Sequence, residues 1–163
     1  MEILSPDNFT FFGQLALAAF LGALIGVERK LAGKQAGTRT FASVSLGSAL
    51  FSIVSIHALE FIRVPGIVEF DPTRIAAQIV TGVGFIGAGI IIFEQAKLRG
   101  VTTAAGLWLS AAIGMAVGFH MYAVAIFATL LALLILVILW MLEERVIEKL
   151  PAYRHDGDER GDG

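Results

Sequence analysis

Apolar residues follow one another in five long runs, separated by short polar segments. The runs extend over residues 9–27, 40–62, 73–93, 102–119 and 122–142. A helix needs about 20 mainly apolar residues to cross roughly 30 Å of hydrocarbon. The pattern therefore predicts an all-α, polytopic membrane protein built as a bundle of about five transmembrane helices. The expected domains are a short N-terminal segment over 1–8, a membrane domain over 9–142 and a disordered tail over 143–163.

Composition and charge agree with a membrane protein and predict its orientation. Of the 163 residues, 56% are apolar and 16% are charged, which lies outside the usual soluble range. Ten of the 12 lysines and arginines fall in the loops after the first and third runs and in the tail; the other two are Arg63 and Arg74. Because positive residues are retained in the cytoplasm, the N-terminus is predicted outside and the C-terminus inside.

Several classes of function are disfavoured by the same composition. The net charge is only −2, and no basic cluster is combined with aromatic stacking residues, so nucleic-acid binding is not expected. The sequence has no cysteine, which excludes disulfides and thiolate metal sites. It also lacks a recognisable arrangement of nucleophile, base and orienting acid. An enzyme is therefore not expected.

The stretch TGVGFIGAG, at residues 81–89, has the G-x-G-x-x-G spacing of a dinucleotide-binding loop. That loop requires a preceding strand and an acidic residue about 20 positions later. Here Asp71 and Pro72 instead favour the start of a helix, and residues 75–93 carry no charge. The glycines are therefore predicted to lie inside a helix and to make a close helix contact. The alternative is an unwound segment that lines an ion or substrate site.

Small residues at helical spacing predict further close contacts between helices. The positions assigned to helix packing are Gly22, Gly26, Gly82, Gly84, Gly87, Gly89, Gly106, Ser110, Gly114 and Gly118. On one face of the second run lie Ser45, Ser48, Ser52 and Ser55. These serines either line a wet path or act as small contact residues that bond their own backbone. The fifth run has bulky aliphatic residues without glycine or charge, which predicts a peripheral helix.

Polar residues near the predicted outer end of the third run form one candidate site. Arg74 and Gln78 share a helical face, and polar residues at membrane depth are expected to face protein or water. Glu60, Glu69 and Asp71 could supply the oxygen ligands that magnesium prefers. In the alternative, Asp71 only caps a helix, Arg74 anchors at the lipid headgroups and Glu69 is solvated.

Charged residues at the opposite, predicted cytoplasmic side form a second candidate site. Glu28, Arg29 and Arg39 flank the loop after the first run. A Glu28–Arg39 pair could connect the first two helices, but an exposed pair would contribute only about 0–1 kcal/mol. A structural role therefore requires partial burial. In the fourth run, Thr102 or Thr103 is the predicted helix cap.

Four segments together resemble the MgtC/SapB family of bacterial inner-membrane proteins. They are LGALIGVERK at 21–30, AGTRTFASVSLGSALF at 36–51, DPTRIAAQIVTGVGFIGAGII at 71–91 and VTTAAGLWLSAAIGMAVGFHMY at 101–122. The resemblance covers residues 11–142 and implies a multi-pass inner-membrane protein with the membrane domain only. The characteristic charged and polar positions of the family fall on Glu28, Arg29, Arg39, Asp71, Arg74 and Gln78.

The resemblance also implies a role. The family is associated with growth at low magnesium and with survival of pathogens inside macrophages, and its best-studied member is regarded as a regulator that restrains the membrane ATP synthase. We therefore expect a non-enzymatic regulator that acts through helix contacts. The alternative is a small magnesium carrier or channel. The expected partners are the lipid bilayer, a membrane protein such as ATP synthase, and a second copy of the chain. No cofactor is expected, and magnesium is the one ligand considered.

Overall fold

A computed structural model describes the backbone of residues 6–61, 71, 73–94 and 97–147, and the side chains of these residues except 6, 7, 58–61, 73, 94, 97 and 143–147. In this part the chain forms five helices and one hairpin: α1 Pro6–Leu31, α2 Thr38–Phe61, α3 Thr73–Ile90, β1 Ile92–Glu94, β2 Lys97–Arg99, α4 Val101–Gly118 and α5 Tyr122–Ile147. Four of the helices, α1, α2, α4 and α5, are long and apolar enough to cross a membrane. The predicted all-α membrane fold is confirmed.

The third helix ends earlier than the sequence predicts. The apolar run is continuous to residue 93, but α3 ends at Ile90 and β1 pairs antiparallel with β2. The apolar part of α3, Arg74–Ile90, spans only about 25 Å at 1.5 Å per residue. Gly100 has a φ of 90° and lies against the carbonyl oxygen of Ile90. The end of the hairpin therefore lies next to the end of α3. An unbroken apolar run does not distinguish a helix from a short strand.

The observed helices test two further predictions, the conformation of TGVGFIGAG and the start of the C-terminal tail. All of TGVGFIGAG lies inside α3, which confirms its helical interpretation and excludes the dinucleotide-binding loop. Helix α5 continues without a break through Ile147. The predicted disordered tail is therefore wrong over 143–147. Residues 148–163 lie outside the described part.

Helix α4 is the centre of the bundle and contacts each of the other four helices. Helices α1 and α2 pack along each other and against α4, while α5 contacts α4 and α1. Helix α3 packs mainly on α4 and touches α2 much less. Buried Leu107, Ile113 and Val117 of α4 belong to the main apolar core. Every other described helix therefore contacts α4, and α1 and α2 also pack extensively on each other.

The small residues of α4 lie directly against the backbone of α2. A Cβ built on Gly114 would collide with the carbonyl oxygen of Ser45, and one built on Gly118 would lie 2.6 Å from the Cβ of Ser52. The hydroxyl of Ser110 donates a hydrogen bond of 2.9 Å to the carbonyl oxygen of Phe41. The backbones of α4 and α2 approach closely because the glycines have no side chain at the contact.

The first helix makes the same kind of contact with α2. A Cβ built on Gly22 would lie 2.6 Å from the carbonyl oxygen of Phe41, and one built on Gly26 would lie 2.6 Å from the Cα of Thr38. Gly106 of α4 approaches the ring of Phe41 from the other side, with 3.1 Å between its built Cβ and the ring. Phe41 is therefore enclosed by α1 and α4.

The serine stripe of α2 is buried, and Ser45 and Ser52 lie against glycines of α1 and α4. Ser45, Ser48, Ser52 and Ser55 are each at most 3% exposed. The hydroxyl of Ser52 donates to the carbonyl oxygen of Ser48, one turn earlier, at 2.8 Å. This favours the interpretation of the serines as small contact residues over a wet path. Helix α5, in contrast, buries only Ala125, Thr129 and Ala132 among its described side chains, as expected for a peripheral helix.

We predict that Gly114→Ala destabilises the protein. The added methyl group would meet the backbone of α2 rather than a side chain that can rotate away, and overpacking of this kind costs about 1–3 kcal/mol. The measurement is the free energy of unfolding of the purified protein in detergent.

The matched control for that substitution is Gly13→Ala in α1. Among the described residues no heavy atom lies within 4 Å of a Cβ built on Gly13, and alanine favours a helix over glycine by about 1 kcal/mol. Gly13→Ala should therefore be neutral or stabilising. Equal effects of the two substitutions would contradict the close approach of α4 to α2.

Candidate functional site

An ion pair between buried Arg29 and partly buried Glu28 lies at the end of α1. Arg29 is 3% exposed, and its Nε and Nη2 both donate to the carboxylate of Glu28, with 2.6 Å between Nη2 and Oε1. Two parallel hydrogen bonds between a guanidinium and a carboxylate are a strong, geometrically specific arrangement. Arg39 is exposed. The predicted Glu28–Arg39 pair is therefore wrong, because the neighbouring residue already binds both oxygens of Glu28.

A tight turn holds this ion pair next to the start of α2. The N–H of Lys34 donates to the carbonyl oxygen of Arg29 at 3.0 Å, and the N–H of Gly33 donates to that of Lys30 at 3.1 Å. Gly33 has a φ of 68°, the left-handed conformation that commonly ends helices. The end of α1 and the first loop residues are therefore fixed by backbone hydrogen bonds rather than by a long-range salt bridge.

The predicted outer site is only partly described. Asp71 and Arg74 are exposed, and the N–H of Arg74 donates to the carbonyl oxygen of Asp71 at 3.2 Å. Asp71 takes part in a further interaction. The side chain of Glu60 and the whole of Glu69 lie outside the described residues, so the proposed oxygen cluster is not tested. Among the described residues, no three histidine or acidic side chains are close enough to hold a metal ion.

An open groove runs between α2 and α3, with a volume of about 530 Å³. Helix α3 is held against α4 by a small cluster of Ile79, Val83 and Ala111, and its contact with α2 is slight. Among the described residues, none fills the groove. Its walls are mainly apolar and include, from the two helices, Val44, Gly47, Phe51, Gln78, Gly82 and Ile86.

The glycines of α3 do not make the close helix contact that the sequence predicts. Among the described residues, no heavy atom lies within 4 Å of a Cβ built on Gly82, Gly84 or Gly89, and Gly87 makes an ordinary contact of 3.5 Å with Ala104. At about 100° per residue, Gly82 and Gly89 lie on one side of the helix, and Gly84 and Gly87 lie on the opposite side, so the four do not form a single contact face. Of the four, only Gly87 has a built Cβ within 4 Å of α4 among the described residues.

Helix α1 also contains a buried amide that the sequence analysis did not single out. Gln14 is 2% exposed, and its Nε2 donates to the carbonyl oxygen of Val117 at 3.0 Å, which joins α1 to the end of α4. Its Oε1 and the hydroxyls of Ser45 and Ser55 have no hydrogen-bond partner among the described residues. The signal in the sequence was a single amide in an apolar run, because a polar residue at membrane depth is expected to face protein rather than lipid.

Comparison with known proteins identifies the family. The model of the MgtC family matches residues 15–145, a range that includes most of the five helices and both flanks of the groove. The chain belongs to the MgtC family. The resemblance inferred from the four segments is thus confirmed, and MgtC membership together with four long apolar helices makes this a multi-pass membrane protein.

Three MgtC-family relatives illustrate the similarity. YhiD of Escherichia coli K12, which is named a putative magnesium transporter, is 45% identical over 139 residues, 85% of this chain and 65% of that protein. MgtC of Salmonella typhimurium LT2 is 41% identical over 143 residues, 88% and 58% of the two chains. A Haemophilus influenzae protein is 39% identical over 133 residues, 80% and 56%. The chain thus spans 56% to 65% of these relatives. No solved structure matches it.

We predict that the buried ion pair stabilises this MgtC-family membrane domain only while both partners are present. Glu28→Ala would leave the guanidinium of Arg29 buried without its partner, and breaking a buried pair in this way costs about 3–5 kcal/mol. The double variant Glu28→Leu and Arg29→Met should recover most of that loss, because apolar replacement of a whole pair is often neutral. Unfolding in detergent measures both.

Arg39→Ala is the control, since Arg39 is exposed. Surface substitutions usually change stability by less than about 0.5 kcal/mol. A loss in Arg39→Ala as large as that in Glu28→Ala would show that Glu28 depends on Arg39 after all.

Proposed function

We propose that this MgtC-family protein is a non-enzymatic membrane regulator that binds a transmembrane helix of a partner protein in the α2–α3 groove. The single observation that carries the proposal is the groove itself, which the described part of the chain leaves open along two helices. Adaptation to low magnesium is the proposed setting, from the family resemblance and from the printed name of YhiD. A membrane ATP synthase is one candidate partner of the required kind.

The walls of the groove suit a helix. Gly47 on α2 and Gly82 on α3 both line it, and no described heavy atom lies within 4 Å of a Cβ built on either. Membrane helices associate through close packing and interhelical hydrogen bonds, because lipid tails are as apolar as leucine. Two glycines would let a partner backbone approach, and the exposed amide of Gln78 would offer it a hydrogen bond at membrane depth.

A magnesium carrier remains the second candidate, and one observation favours it. Gln14 Oε1, Ser45 Oγ and Ser55 Oγ are buried oxygen atoms without a hydrogen-bond partner in the described part, and oxygen is the ligand that magnesium prefers. Against this, neutral oxygens alone compensate poorly for the water that magnesium must lose. Ser45 also lies where Gly22 of α1 and Gly114 of α4 approach α2 closely, which leaves little room for an ion there.

The regulator makes a specific prediction about groove-filling variants. A photoreactive amino acid at Ile86, in the groove, should crosslink a membrane protein in native membranes, whereas the same group at exposed Leu134 of α5 should not. Gly82→Leu should reduce the affinity for the partner about fivefold to 150-fold, and the crosslinked product with it, because one overpacked leucine costs about 1–3 kcal/mol. Mass spectrometry of the product identifies the partner.

Gly84→Leu is the matched control for Gly82→Leu. Both glycines lie in α3 with no described heavy atom within 4 Å of a built Cβ, but Gly84 does not line the groove. Crosslinking at Ile86 should survive Gly84→Leu. Equal loss in both variants, or a product that consists only of a second copy of the chain, would contradict binding of a partner protein.

Transport by the purified protein distinguishes the carrier from the regulator. Folded protein in liposomes loaded with a magnesium-sensitive dye should give no influx above that of empty vesicles if the protein is a regulator. Saturable influx that is lost in Asp71→Ala would instead establish autonomous transport and overturn the regulator.

A further inference from the structure

The hairpin between α3 and α4 presents two large apolar side chains outside the helix bundle. In its antiparallel register Phe93 lies opposite Leu98, and residues directly opposite each other project from the same side of a sheet. Phe93 is 74% exposed and Leu98 is 60% exposed. We refer to these two residues as the hairpin face. Among the described residues the hairpin has no extensive contact with a helix, so the described part of the chain leaves this face uncovered.

The opposite side of the hairpin differs in polarity. The next pair in the register is Ile92 with Arg99. Because successive residues of a strand point to opposite faces, this pair lies on the other side from the hairpin face. Arg99 is exposed, and a charged guanidinium is costly at hydrocarbon depth. The hairpin is therefore amphipathic, with an apolar pair on one side and a charged residue on the other.

The connections of the hairpin place it at one surface of the bilayer. It follows the end of α3 at Ile90 and precedes α4, which begins at Val101 and is long enough to cross a membrane. Gly100 is the N-cap of α4 and lies against the carbonyl oxygen of Ile90. The sequence prediction of a Thr102 or Thr103 cap is therefore wrong, because both residues lie inside the first turn of α4. The end of α3 and the start of α4 are at the same level in the membrane.

Backbone hydrogen bonding limits how deep the hairpin can lie. The described sheet has two strands, and the outward N–H and C=O groups of its two edges need water or another partner. Lipid-exposed sheet edges do not occur in the hydrocarbon region, because such groups stay unsatisfied there. The apolar part of α3, Arg74–Ile90, spans about 25 Å of roughly 30 Å of hydrocarbon, so its end reaches only the border of that region. The strand edges require water and the hairpin face requires apolar surroundings, and the headgroup boundary supplies both.

We propose that the hairpin face inserts into the headgroup boundary and anchors the end of α3 at the bilayer surface. A two-stranded hairpin alone is at best marginally stable in water unless its apolar face packs on something, and in a membrane protein the nearest apolar material outside the bundle is lipid. Amphipathic helices at this boundary bury their apolar side about 5–10 Å deep, and the same depth is expected for the hairpin face. The proposal does not depend on a helix in the α2–α3 groove.

The test uses spin labels attached to single cysteines, which give no background because the chain has no cysteine of its own. Phe93→Cys, Leu98→Cys and Ile92→Cys are labelled one at a time, and the full chain is reconstituted in phosphatidylcholine liposomes. Collisions of the label with oxygen, which concentrates in hydrocarbon, and with a water-soluble nickel complex give its depth. The labels at 93 and 98 should lie about 5–10 Å deep, and the label at 92 should lie closer to water.

Two reference positions calibrate the depth. Leu134→Cys is exposed on the apolar helix α5 and should report hydrocarbon, whereas Lys34→Cys is exposed in the loop after α1 and should report water. Circular dichroism checks that each variant is folded. The anchor is wrong if the labels at 93 and 98 meet the nickel complex as often as the label at 34 does. It is also wrong if both are shielded from both reagents, as by a second copy of the chain, or if the labels at 92 and 93 lie equally deep.

A second measurement tests the native side chain of Phe93 rather than a label in its place. In labelled Leu98→Cys protein, Phe93→Ser should move the label from about 5–10 Å deep to the level of the phosphates, because half of the hairpin face becomes polar. Ile92→Ser is the matched control on the opposite side of the hairpin and should leave the label where it is. Equal shifts in the two variants would contradict insertion by a defined face.

Discussion

The close approach of α4 to α2 is the contact on which the rest of this structure depends. Water drives no apolar association inside a bilayer, so membrane helices are held by packing and by hydrogen bonds between backbones and small side chains. Gly114 and Gly118 bring the backbone of α4 onto α2, and this approach puts the hydroxyl of Ser110 within 2.9 Å of the carbonyl oxygen of Phe41. With α4 fixed in this way, one remaining side of it binds α1 and α5 and another binds α3.

The same arrangement explains why one part of the molecule is closed and another is open. Helices α1, α2 and α4 share the core that encloses Phe41, whereas α3 is attached through a small cluster on α4 and through the hairpin that Gly100 closes. Helix α3 consequently stands away from α2 and leaves the groove. In water such an apolar groove would be penalised, but in a bilayer lipid tails fill it at little cost. An open groove is therefore compatible with a stable domain.

The sequence predicts the closed part of the structure better than the open part. Glycines and serines at intervals of four residues in α4, and the serine stripe of α2, indicate which faces meet because a single spacing defines a single face. In α3 the glycines are spaced irregularly, and small size alone does not reveal which of them has a neighbour. The ion pair of Glu28 and Arg29 was missed for a related reason. Adjacent residues on a helix do not normally face each other, but a long guanidinium at a helix end reaches back to its neighbour.

Among the described residues, charged side chains follow the end of α1 and precede the start of α4. Two glycines with positive φ, Gly33 and Gly100, form the turns there, and a cavity of about 450 Å³ between them is also lined by Lys34, Gln35 and Arg99. The partner helix proposed for the groove would displace lipid and gain its affinity through packing. Binding of this kind requires no path through the membrane.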